Sequence, residues 1–282
     1  MRRNSPPSWT AWERVHADRS VHPGGSARRL RAGLKQLLFP GLDLLTRCRY
    51  ATLPRFLRPG PSVTLDAGCG NGALAYAAYR LGHNALGITS NAAEVHRNRE
   101  FFRRCVARDS SLAFMQLNLY ELPSLSITFD QIICSETLEH VADDELILRY
   151  FNQALHLGGV LHLCSPYAFH PQHRLGRVNE PEDGRHVRDG YTLDSYAAIL
   201  SRTGFDIVAS AGLGGPLLVA LDRPVRWVRS KLGDAAALPL FLLVLPLTWF
   251  DRLNPRVPYS LYVQAVKRRE LDEPAAGVAD NS

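Results

Sequence analysis

The sequence predicts an α/β fold, in which helices cover both faces of a mostly parallel sheet. The first observation is an alternation of short apolar runs with helical stretches, which continues from residue 62 to residue 212. The second is a glycine-rich turn directly after the first apolar run. Both are typical of βαβ units, whose crossover helices bury a parallel sheet. The chain of 282 residues is long enough for one such domain with appendages.

Several segments have the length and apolar content of strands, and others between them have the periodicity of helices. In chain order, the predicted strands are SVTLD (62–66), NALGIT (84–89), LAFMQLN (112–118), FDQIICS (129–135), GGVLHLCS (158–165), FDIVASA (205–211) and YSLYVQAVK (259–267). The predicted helices are GALAYAAYRLG (72–82), NAAEVHRNREFFRRCVA (91–107), DDELILRYFNQALHLGG (143–159) and TLDSYAAILSRTG (192–204). The third helix begins with acidic residues and reaches Gly158 and Gly159, as the helix dipole and C-cap preferences favour.

This pattern divides the chain into five regions. They are a basic N-terminal extension (1–56), a ligand-binding α/β domain (57–212), an apolar insertion (213–258), the final strand of the sheet (259–268) and a disordered tail (269–282). Leucines at helical spacing from Leu30 to Leu38 indicate a helix in the extension, which we expect to act as a lid over the site.

Charge and cysteine content argue against several classes of protein. The net charge of +6 and the pI of about 9.2 slightly favour anionic partners such as phosphates or a membrane surface. The five cysteines are widely spaced and form no CxxC pair, which argues against a disulfide framework or a zinc knuckle. The N-terminal residues contain no apolar run of a secretory signal. We therefore expect a protein of the reducing cytoplasm.

The stretch VTLDAGCGNG, residues 63–72, carries the main functional signal. A glycine turn after the first strand lets a ligand approach the N-terminus of the next helix closely. The spacing of Gly68, Gly70 and Ala73 also satisfies the dinucleotide pattern, but Asp66 beside it would repel a pyrophosphate. The same carboxylate would attract a ligand with an ammonium and a sulfonium group. The motif therefore predicts S-adenosylmethionine rather than a dinucleotide as the cofactor.

Three stretches, LDAGCGNG, FDQIICSETLEHV and GGVLHLCSPY, resemble the class I S-adenosylmethionine-dependent methyltransferases. Within that family the chain is similar to the ubiquinone-biosynthesis O-methyltransferase type, over about residues 60–212 and the last strand. The resemblance implies a doubly wound, Rossmann-like sheet of seven strands, mostly parallel with an antiparallel last strand. It also implies a cofactor site made of Asp66, Gly68, Cys69 and Gly70 at the methionine part, Thr89 and Ser90 at the ribose, Asn118 and Leu119 at the adenine, and Ser135 under the sulfonium.

Two residues depart from the family pattern. Thr89 stands where the usual ribose-binding acid would be, and its single hydroxyl cannot accept from both ribose hydroxyls. Fatty-acid cyclopropane synthases, which use the same cofactor, are similar in carrying a threonine there. Asn118 replaces the usual aspartate at the adenine and adds a donor. We expect both changes to affect the affinity for the cofactor rather than its identity.

The stretch SETLEHV after the fourth strand suggests the chemistry. It places Glu136, Glu139 and His140 at helical spacing on one face, where two carboxylates and an imidazole suit Mg²⁺ or Mn²⁺. Small-RNA 3′-terminal 2′-O-methyltransferases carry a similar ExxEH motif that a later histidine completes, and His186 stands in the matching place. Alternatively, His140 acts as a general base with Glu136 beside it and no metal. A third interpretation is a turn that only packs.

The segment AAALPLFLLVLPLTWF, residues 235–250, is nearly all apolar but is too short to span a bilayer and contains two prolines. Basic residues lie on both sides of it. We consider two interpretations, namely shallow insertion at the anionic inner face of a membrane, and packing over the sheet edge or in a dimer interface. Two further histidines, His170 and His173, follow the fifth strand at the carboxyl end of the sheet. We consider contacts with the substrate and a solvated loop, and the second interpretation is favoured.

Together these observations predict an enzyme that methylates an oxygen of a small or lipid-linked hydroxyl compound, such as a quinone precursor or a glycan-lipid. One alternative is an RNA 3′-terminal 2′-O-methyltransferase with a divalent metal, although no RNA-binding module is visible and we do not expect a nucleic-acid partner. The other alternative is a non-catalytic cofactor-binding protein associated with a membrane.

Overall fold

The computed structural model describes residues 41–105, 111–173, 182, 184–251 and 254–271. The strands are β1 (Val63–Ala67), β2 (Asn84–Thr89), β3 (Leu112–Gln116), β4 (Phe129–Ser135), β5 (Leu155–Pro166), β6 (Phe205–Leu213) and β7 (Ser260–Lys267). The α-helices are α1 (Leu44–Thr52), α2 (Ala73–Arg80), α3 (Ala92–Cys105), α4 (Asp144–Ala154), α5 (Leu193–Arg202), α6 (Pro216–Leu232) and α7 (Asp234–Val244). Short 3-10 helices span Leu53–Phe56, Leu119–Ser124, Leu138–His140 and Leu245–Phe250.

The strands form one sheet in the order β3-β2-β1-β4-β5-β7-β6. Strands β1 to β5 pair in parallel, whereas β7 runs antiparallel between β5 and β6. The predicted fold class, a mostly parallel seven-stranded sheet with an antiparallel last strand, is confirmed. The strand order reverses between β1 and β4, and open α/β sheets bind their ligands at the carboxyl ends of the strands at such a point.

Each face of the sheet has its own apolar core. One face packs residues such as Leu65, Ile132 and Leu163 against α4 and α5. The other packs Ala85 and Ile133 against side chains from α2 and α3. Burial on both faces explains why the central strands are almost continuously apolar, since a parallel sheet covered by helices leaves neither face in water.

The boundary between α4 and β5 differs from the predicted one. The sequence predicts a helix up to Gly159, but α4 ends at Ala154 and β5 begins at Leu155. Leu155 pairs with Phe129 on β4, and the register shifts before Gln131, so the two glycines form an irregularity inside the strand. Gly158 has a φ of 77° there. The prediction was wrong because pairing with β4, which is not visible locally, recruits residues that could also continue the helix.

The apolar insertion folds into α6, α7 and the 3-10 helix that follows α7. These helices share a third apolar core with α1. The buried Asp222 of α6 accepts a hydrogen bond from the backbone N of Leu44, which begins α1, at 2.8 Å. Asp251, after the 3-10 helix, accepts from the backbone N of Gly215 at 2.7 Å and of Leu218 at 3.1 Å and thereby caps α6. Among the residues described, none of the helices combines the length and apolarity needed to cross a bilayer.

The apolar insertion lies between the last two strands in chain order. The strand β6 ends at Leu213 and β7 begins at Ser260, on either side of the insertion. The leucine-rich helix predicted at residues 30–38 lies outside the described residues, as does most of the predicted tail.

Candidate active site

The three glycines of the turn after β1 have different roles. All three have positive φ, at 77° for Gly68, 49° for Gly70 and 75° for Gly72. A Cβ at Gly68 would lie 2.2 Å from Thr137 Oγ1, and one at Gly72 would lie 2.6 Å from the ring of Phe114. At Gly70, by contrast, no described atom would lie within 4 Å of a Cβ. Gly68 and Gly72 therefore allow the turn to pack, while Gly70 leaves its outer side open for a ligand to approach.

Asp66 is buried at the end of β1 and faces the start of α2. Its Oδ2 accepts a hydrogen bond from the backbone N of Ala75 at 2.8 Å. Burial raises the pKa of Asp66 to about 7, although the bond from Ala75 partly opposes this shift. One carboxylate oxygen thus fixes the turn to the helix, and the group is only partly ionised near neutral pH.

The end of β2 contains an acid that the sequence analysis missed. The hydroxyl of Thr89 donates to Oε2 of Glu94, in the first turn of α3, at 2.8 Å. The exposed Ser90 uses its carbonyl to accept from the side chain of Gln116. A carboxylate is therefore present beside the predicted ribose position, although it comes from five residues further along the chain. The signal in the sequence that could have identified Glu94 is the presence of an acid in the first helical turn after the strand.

At the end of β3, Asn118 takes part in a capping box. Its Oδ1 accepts from the backbone N of Tyr120 at 3.1 Å, and its own backbone N donates to Glu121 at 3.1 Å. The amide oxygen is thus engaged by the 3-10 helix Leu119–Ser124, so the amide nitrogen is the group left to contact a ligand. Leu119 is buried and can cover one face of a flat ring.

The end of β4 contains a strained residue. Glu136 has a φ of 52°, which is rare for a residue with a side chain, and its backbone N donates to the carbonyl of Cys164 at 2.7 Å. Its carboxylate pairs with Arg49 of α1 at 3.5 Å and accepts from the hydroxyl of Ser260 at 2.9 Å. Such conformations are retained mainly at functional sites. The preceding Ser135 is half-buried at the same strand end, where the sulfonium is predicted.

A second acid, Glu139, follows Glu136 in the chain and lies in the 3-10 helix Leu138–His140. Glu139 is completely buried, and neither carboxylate oxygen has a hydrogen-bond partner among the described residues. Burial, with a further contribution from Glu136, holds the pKa of Glu139 well above its usual range. The backbone carbonyl of Glu139 accepts from the N of Val187 at 2.9 Å, which brings His186 beside this turn.

Glu139, His140 and His186 offer ligand atoms that all lie within 4.8 Å of one another. The two imidazole rings are perpendicular, with centroids 4.6 Å apart, and Nδ1 of His140 is buried without a partner in the described part of the chain. Burial and the neighbouring His140 lower the pKa of His186. The structure thus brings together three of the four predicted metal ligands, whereas the carboxylate of Glu136 is held by Arg49 and Ser260. An unpartnered buried carboxylate and two imidazoles fit a divalent cation.

The histidines after β5 are not in a solvated loop. His170 and His173 are both buried, and their rings pack against Tyr259 with centroids 5.1 and 4.4 Å apart. Burial lowers the pKa of each imidazole. The expectation of a solvated loop was wrong because Tyr259, next to β7, covers this segment, and β7 is distant in sequence.

Most of these groups follow β1, β2 or β4, so they meet at the carboxyl edge where the strand order reverses. The open side of Gly70 and the carboxylates of Asp66 and Glu94 provide a cradle for a cationic, ribose-containing molecule. Beyond the end of β4, Glu136 and His140 provide a hydrogen-bond acceptor and a base. The arrangement can therefore bind a cofactor and accept a proton from a second molecule beside it.

Comparison with known proteins agrees with this geometry. A profile of the methyltransferase domain family matches residues 43–210, which is more than half of the chain. The chain is 30% identical over 204 residues to the ubiquinone biosynthesis O-methyltransferase of Mesorhizobium japonicum, covering 65% of this chain and 74% of the relative. It is 26% identical over 162 residues to the human mitochondrial ubiquinone biosynthesis O-methyltransferase. That second match covers 53% of this chain and 42% of the human protein, which is less than half of its length.

Solved structures share the fold. An S-adenosylmethionine-dependent methyltransferase from Mesorhizobium loti has a TM-score of 0.51 at 19% identity, and covers 79% of this chain and 99% of its own. One from Thermotoga maritima has a TM-score of 0.52 at 13% identity, with coverages of 85% and 97%. The family match supplies the class of reaction. The chain therefore belongs to the class I S-adenosylmethionine-dependent methyltransferases.

Proposed function

We propose that this methyltransferase transfers the methyl group to a hydroxyl oxygen of a small or lipid-linked compound. The observation that carries the proposal is the proximity of His140 to the buried carboxyl of Glu139, whose oxygens have no hydrogen-bond partner in the described part of the chain. A hydroxyl needs a base or a Lewis acid to become a nucleophile, and this turn can supply either. The two relatives described as ubiquinone biosynthesis O-methyltransferases support an oxygen acceptor.

The cofactor is held by residues that follow the first three strands. The turn at Gly68 and Gly70 receives the methionine part, with Asp66 as the negative charge nearby. Glu94 accepts from the ribose 2′-hydroxyl, and the hydroxyl of Thr89 donates to the same carboxylate and keeps it in place. Asn118 donates its amide to the adenine ring, and Leu119 covers the face of that ring. The carboxylate of Glu94 on α3 thus takes the place of the ribose-binding acid that the family pattern has at the position of Thr89.

Transfer is an in-line displacement. When bound, S-adenosylmethionine would supply the methyl group, and displacement of its sulfur by the acceptor oxygen would leave S-adenosylhomocysteine as a neutral thioether. The proton of the acceptor hydroxyl passes to an imidazole nitrogen of His140. Glu136, fixed by Arg49 and Ser260, accepts a hydrogen bond that orients the acceptor. Correct orientation of two bound reactants contributes much of the rate enhancement in such reactions.

A divalent cation such as Mg²⁺ or Mn²⁺ is the second candidate for activating the hydroxyl. The carboxyl of Glu139 and the imidazoles of His140 and His186 would hold it. When bound, the cation would lower the pKa of a coordinated hydroxyl. In the absence of a cation, burial and the nearby Glu136 disfavour the charged form of Glu139 and hold its pKa well above its usual range.

The first test measures transfer of labelled methyl to three probes, namely a dihydroxybenzene with a prenyl tail, the same compound without the tail, and an RNA with a free 3′-terminal 2′-hydroxyl. We expect methylation of a phenol, and His140→Ala should lower its rate by about 10²–10⁴-fold. His156→Ala is the control, because this exposed histidine lies at the amino end of β5, away from the site. Methylation of the RNA alone would contradict the proposal.

The second test separates the base from the metal. If a cation is used, EDTA should abolish transfer, and Mg²⁺ or Mn²⁺ should restore it. Calorimetry should then show Mn²⁺ binding that Glu139→Gln removes. If His140 acts alone, EDTA should have no effect and Mn²⁺ should not bind. Full activity of both His140→Ala and the EDTA-treated enzyme would exclude both roles.

A further inference from the structure

Helix α7 is apolar on its outer side as well as its inner side. Ala237, Phe241 and Val244 are buried against α1 and α6. On the other side of the helix, Leu242 and Leu243 face away from that core, and the side chain of Leu243 is 72% exposed. A helix that is apolar all round is covered on every side in a stable globular protein, or it lies in lipid.

The exposed side continues into the 3-10 helix that follows. Leu247, Trp249 and Phe250 are exposed there, Trp249 to 90% and Phe250 to 77%. We call the five residues Leu242, Leu243, Leu247, Trp249 and Phe250 the apolar face. Single exposed apolar side chains are common on protein surfaces, but five within nine residues form a patch of the kind that marks a binding surface.

The apolar face is fixed by hydrogen bonds on the inner side of the insertion. Asp251 ties the end of the 3-10 helix to the start of α6, and Asp222 ties α6 to α1. The outer side chains therefore project from a packed scaffold, and their exposure is not that of a loose loop. Burying them requires another molecule or another segment of the chain.

The charges around the apolar face favour an anionic partner. Residues 213–258 carry six basic side chains and three aspartates. Asp222 and Asp251 are engaged in the internal contacts described above, and Asp234 pairs with Arg229 at 2.9 Å. Exposed basic residues, including Lys231 before α7 and Arg256 after the 3-10 helix, thus leave the surroundings positive.

We infer that the apolar face docks on an anionic lipid bilayer, with Trp249 at the level of the headgroups and the leucines in the outermost acyl region. Exposed leucine, tryptophan and flanking cations are the features of interfacial binding. The helix has only 11 residues, so it can lie in the interface but cannot span it. If a second copy of the chain covered the apolar face, the basic residues around that face would not be needed for binding.

The docking surface is connected to the active site. The guanidinium of Arg226 on α6 interacts electrostatically with Tyr259, whose ring packs on His173. The next residue, Ser260, donates to Glu136. The insertion is thus linked to the site through Tyr259 and Ser260, and the idea that docking delivers a lipid-linked acceptor rests on the proposed function. The docking itself can be measured without any methyl transfer.

The test is flotation of the full chain with vesicles of phosphatidylcholine and phosphatidylglycerol at low salt. Leu243→Ser/Trp249→Ser/Phe250→Ser should lower the partition coefficient more than about tenfold. Lys231→Glu should lower it by about fivefold or more, and high salt should do so for the wild type. The matched control is Leu157→Ser/Val208→Ser, which removes side chains that are 65% and 49% exposed on β5 and β6. Calorimetric binding of S-adenosylmethionine should be the same for all variants and confirms that they are folded.

The fluorescence of Trp249 gives an independent measurement that needs no folded triple variant. Without vesicles, acrylamide should quench a component that Trp249→Phe removes. With vesicles, lipids brominated on the acyl chain should quench that same component. Absence of flotation at low salt, or unchanged flotation of the triple variant, would overturn the inference. So would protection of Trp249 from acrylamide before vesicles are added, because a second copy or another segment of this chain would then cover the apolar face.

Discussion

At the scale of single residues, the site depends on positions where a small change in the side chain has a large effect. The glycines of the turn after β1 have similar backbone angles, yet only Gly70 has an open outer side. Glu136 maintains an unfavourable backbone angle that Arg49, Ser260 and the carbonyl of Cys164 stabilise together. We therefore expect that some of these glycines and acids serve the packing of the turn and others serve ligand binding.

The glycine turn gives a paired prediction. Gly70→Ala should lower the free energy of unfolding by about 1–2 kcal/mol, through the strain of its positive φ alone, since a Cβ there meets only open space. It should also weaken S-adenosylmethionine binding, because the methyl group enters the space of the ligand. Gly72→Ala should destabilise the fold by about 2–5 kcal/mol, since overlap of its Cβ with the rings of Phe114 and Phe102 adds to the same backbone strain. Chemical denaturation and calorimetric titration measure both, and equal effects of the two changes on stability would contradict this division.

Glu94 gives the second prediction. Glu94→Gln should weaken S-adenosylmethionine binding by about tenfold or more, because a hydrogen bond to a charged acceptor contributes about 1.5–3 kcal/mol. A cofactor analogue that lacks the ribose 2′-hydroxyl should bind the wild type and Glu94→Gln with similar affinities. Thr89→Val tests the contact that positions the acid and should have a smaller effect of the same kind. If the analogue and the natural cofactor lose equal affinity on Glu94→Gln, the carboxylate does not contact that hydroxyl.

At the scale of elements, local sequence and distant contacts decide where helices begin and end. Capping residues fix the start of α4 and α5, where Asp143 and Thr192 accept from the backbone N of Leu146 and Ser195. The start of α6 lacks such a residue at Gly215, and Asp251 performs the capping from the far end of the insertion. The end of α4 is likewise determined by a contact with another element, since Leu155 pairs with Phe129 on β4.

The distant cap of α6 gives the third prediction. Asp251→Ala should lower the free energy of unfolding by about 1–2 kcal/mol, because two backbone donors at the start of α6 lose their acceptor. Asp251→Asn should recover part of this loss, since its amide oxygen can still accept. Asp234→Ala is the control, because this exposed aspartate takes part in a surface ion pair that contributes little. A loss no greater for Asp251→Ala than for Asp234→Ala would show that the cap does not stabilise the insertion.

At the scale of the whole molecule, the sheet brings groups from separate parts of the chain to one edge. The turn after β1, the first turn of α3 and the residues beyond β4 meet where the strand order reverses, and β7 adds Ser260 from its antiparallel position. Binding of a ligand at this edge connects both halves of the sheet. Cofactor binding should therefore stabilise the whole domain rather than one loop.

The fourth prediction uses this stabilisation and its dependence on pH. S-adenosylmethionine at about 100 times its Kd should stabilise the fold by about 2.7 kcal/mol, as seen in thermal melts, whereas NADH should not. The folded-state pKa of Asp66 is raised from 3.8 to about 7, so its contribution to stability is present below pH 3.8 and is lost as the pH rises through 7. The unliganded wild type should therefore lose more stability than Asp66→Asn between pH 4 and 7.

The cofactor should have the opposite pH dependence. A cation prefers the ionised carboxylate, so its affinity should increase up to a pH of about 7 and then level off. Nearby titratable groups, among them Tyr50, Cys69 and Cys134, stay neutral in this range because burial raises the pKa of each. Asp66→Asn should remove the increase. An affinity that is independent of pH in the wild type, or stabilisation by NADH alone, would contradict the role of Asp66.

Local patterns were sufficient to predict the fold class, the order of the elements within the α/β domain and the cofactor. Strand and helix periodicities are local, and so is the glycine turn with Asp66. The contacts of the site residues and some element boundaries depend on the tertiary structure, because contacts between distant residues follow from how the strands are ordered and aligned. Ser260 reaches Glu136 across 124 positions, and pairing with β4 moves the end of α4 back to Ala154. The sequence also left open whether the apolar insertion packs internally or faces outward, and packing against α1 and α6 shows that its two sides differ. Only the folded chain separates those sides, since a helix that is apolar all round carries no periodic signal to distinguish them.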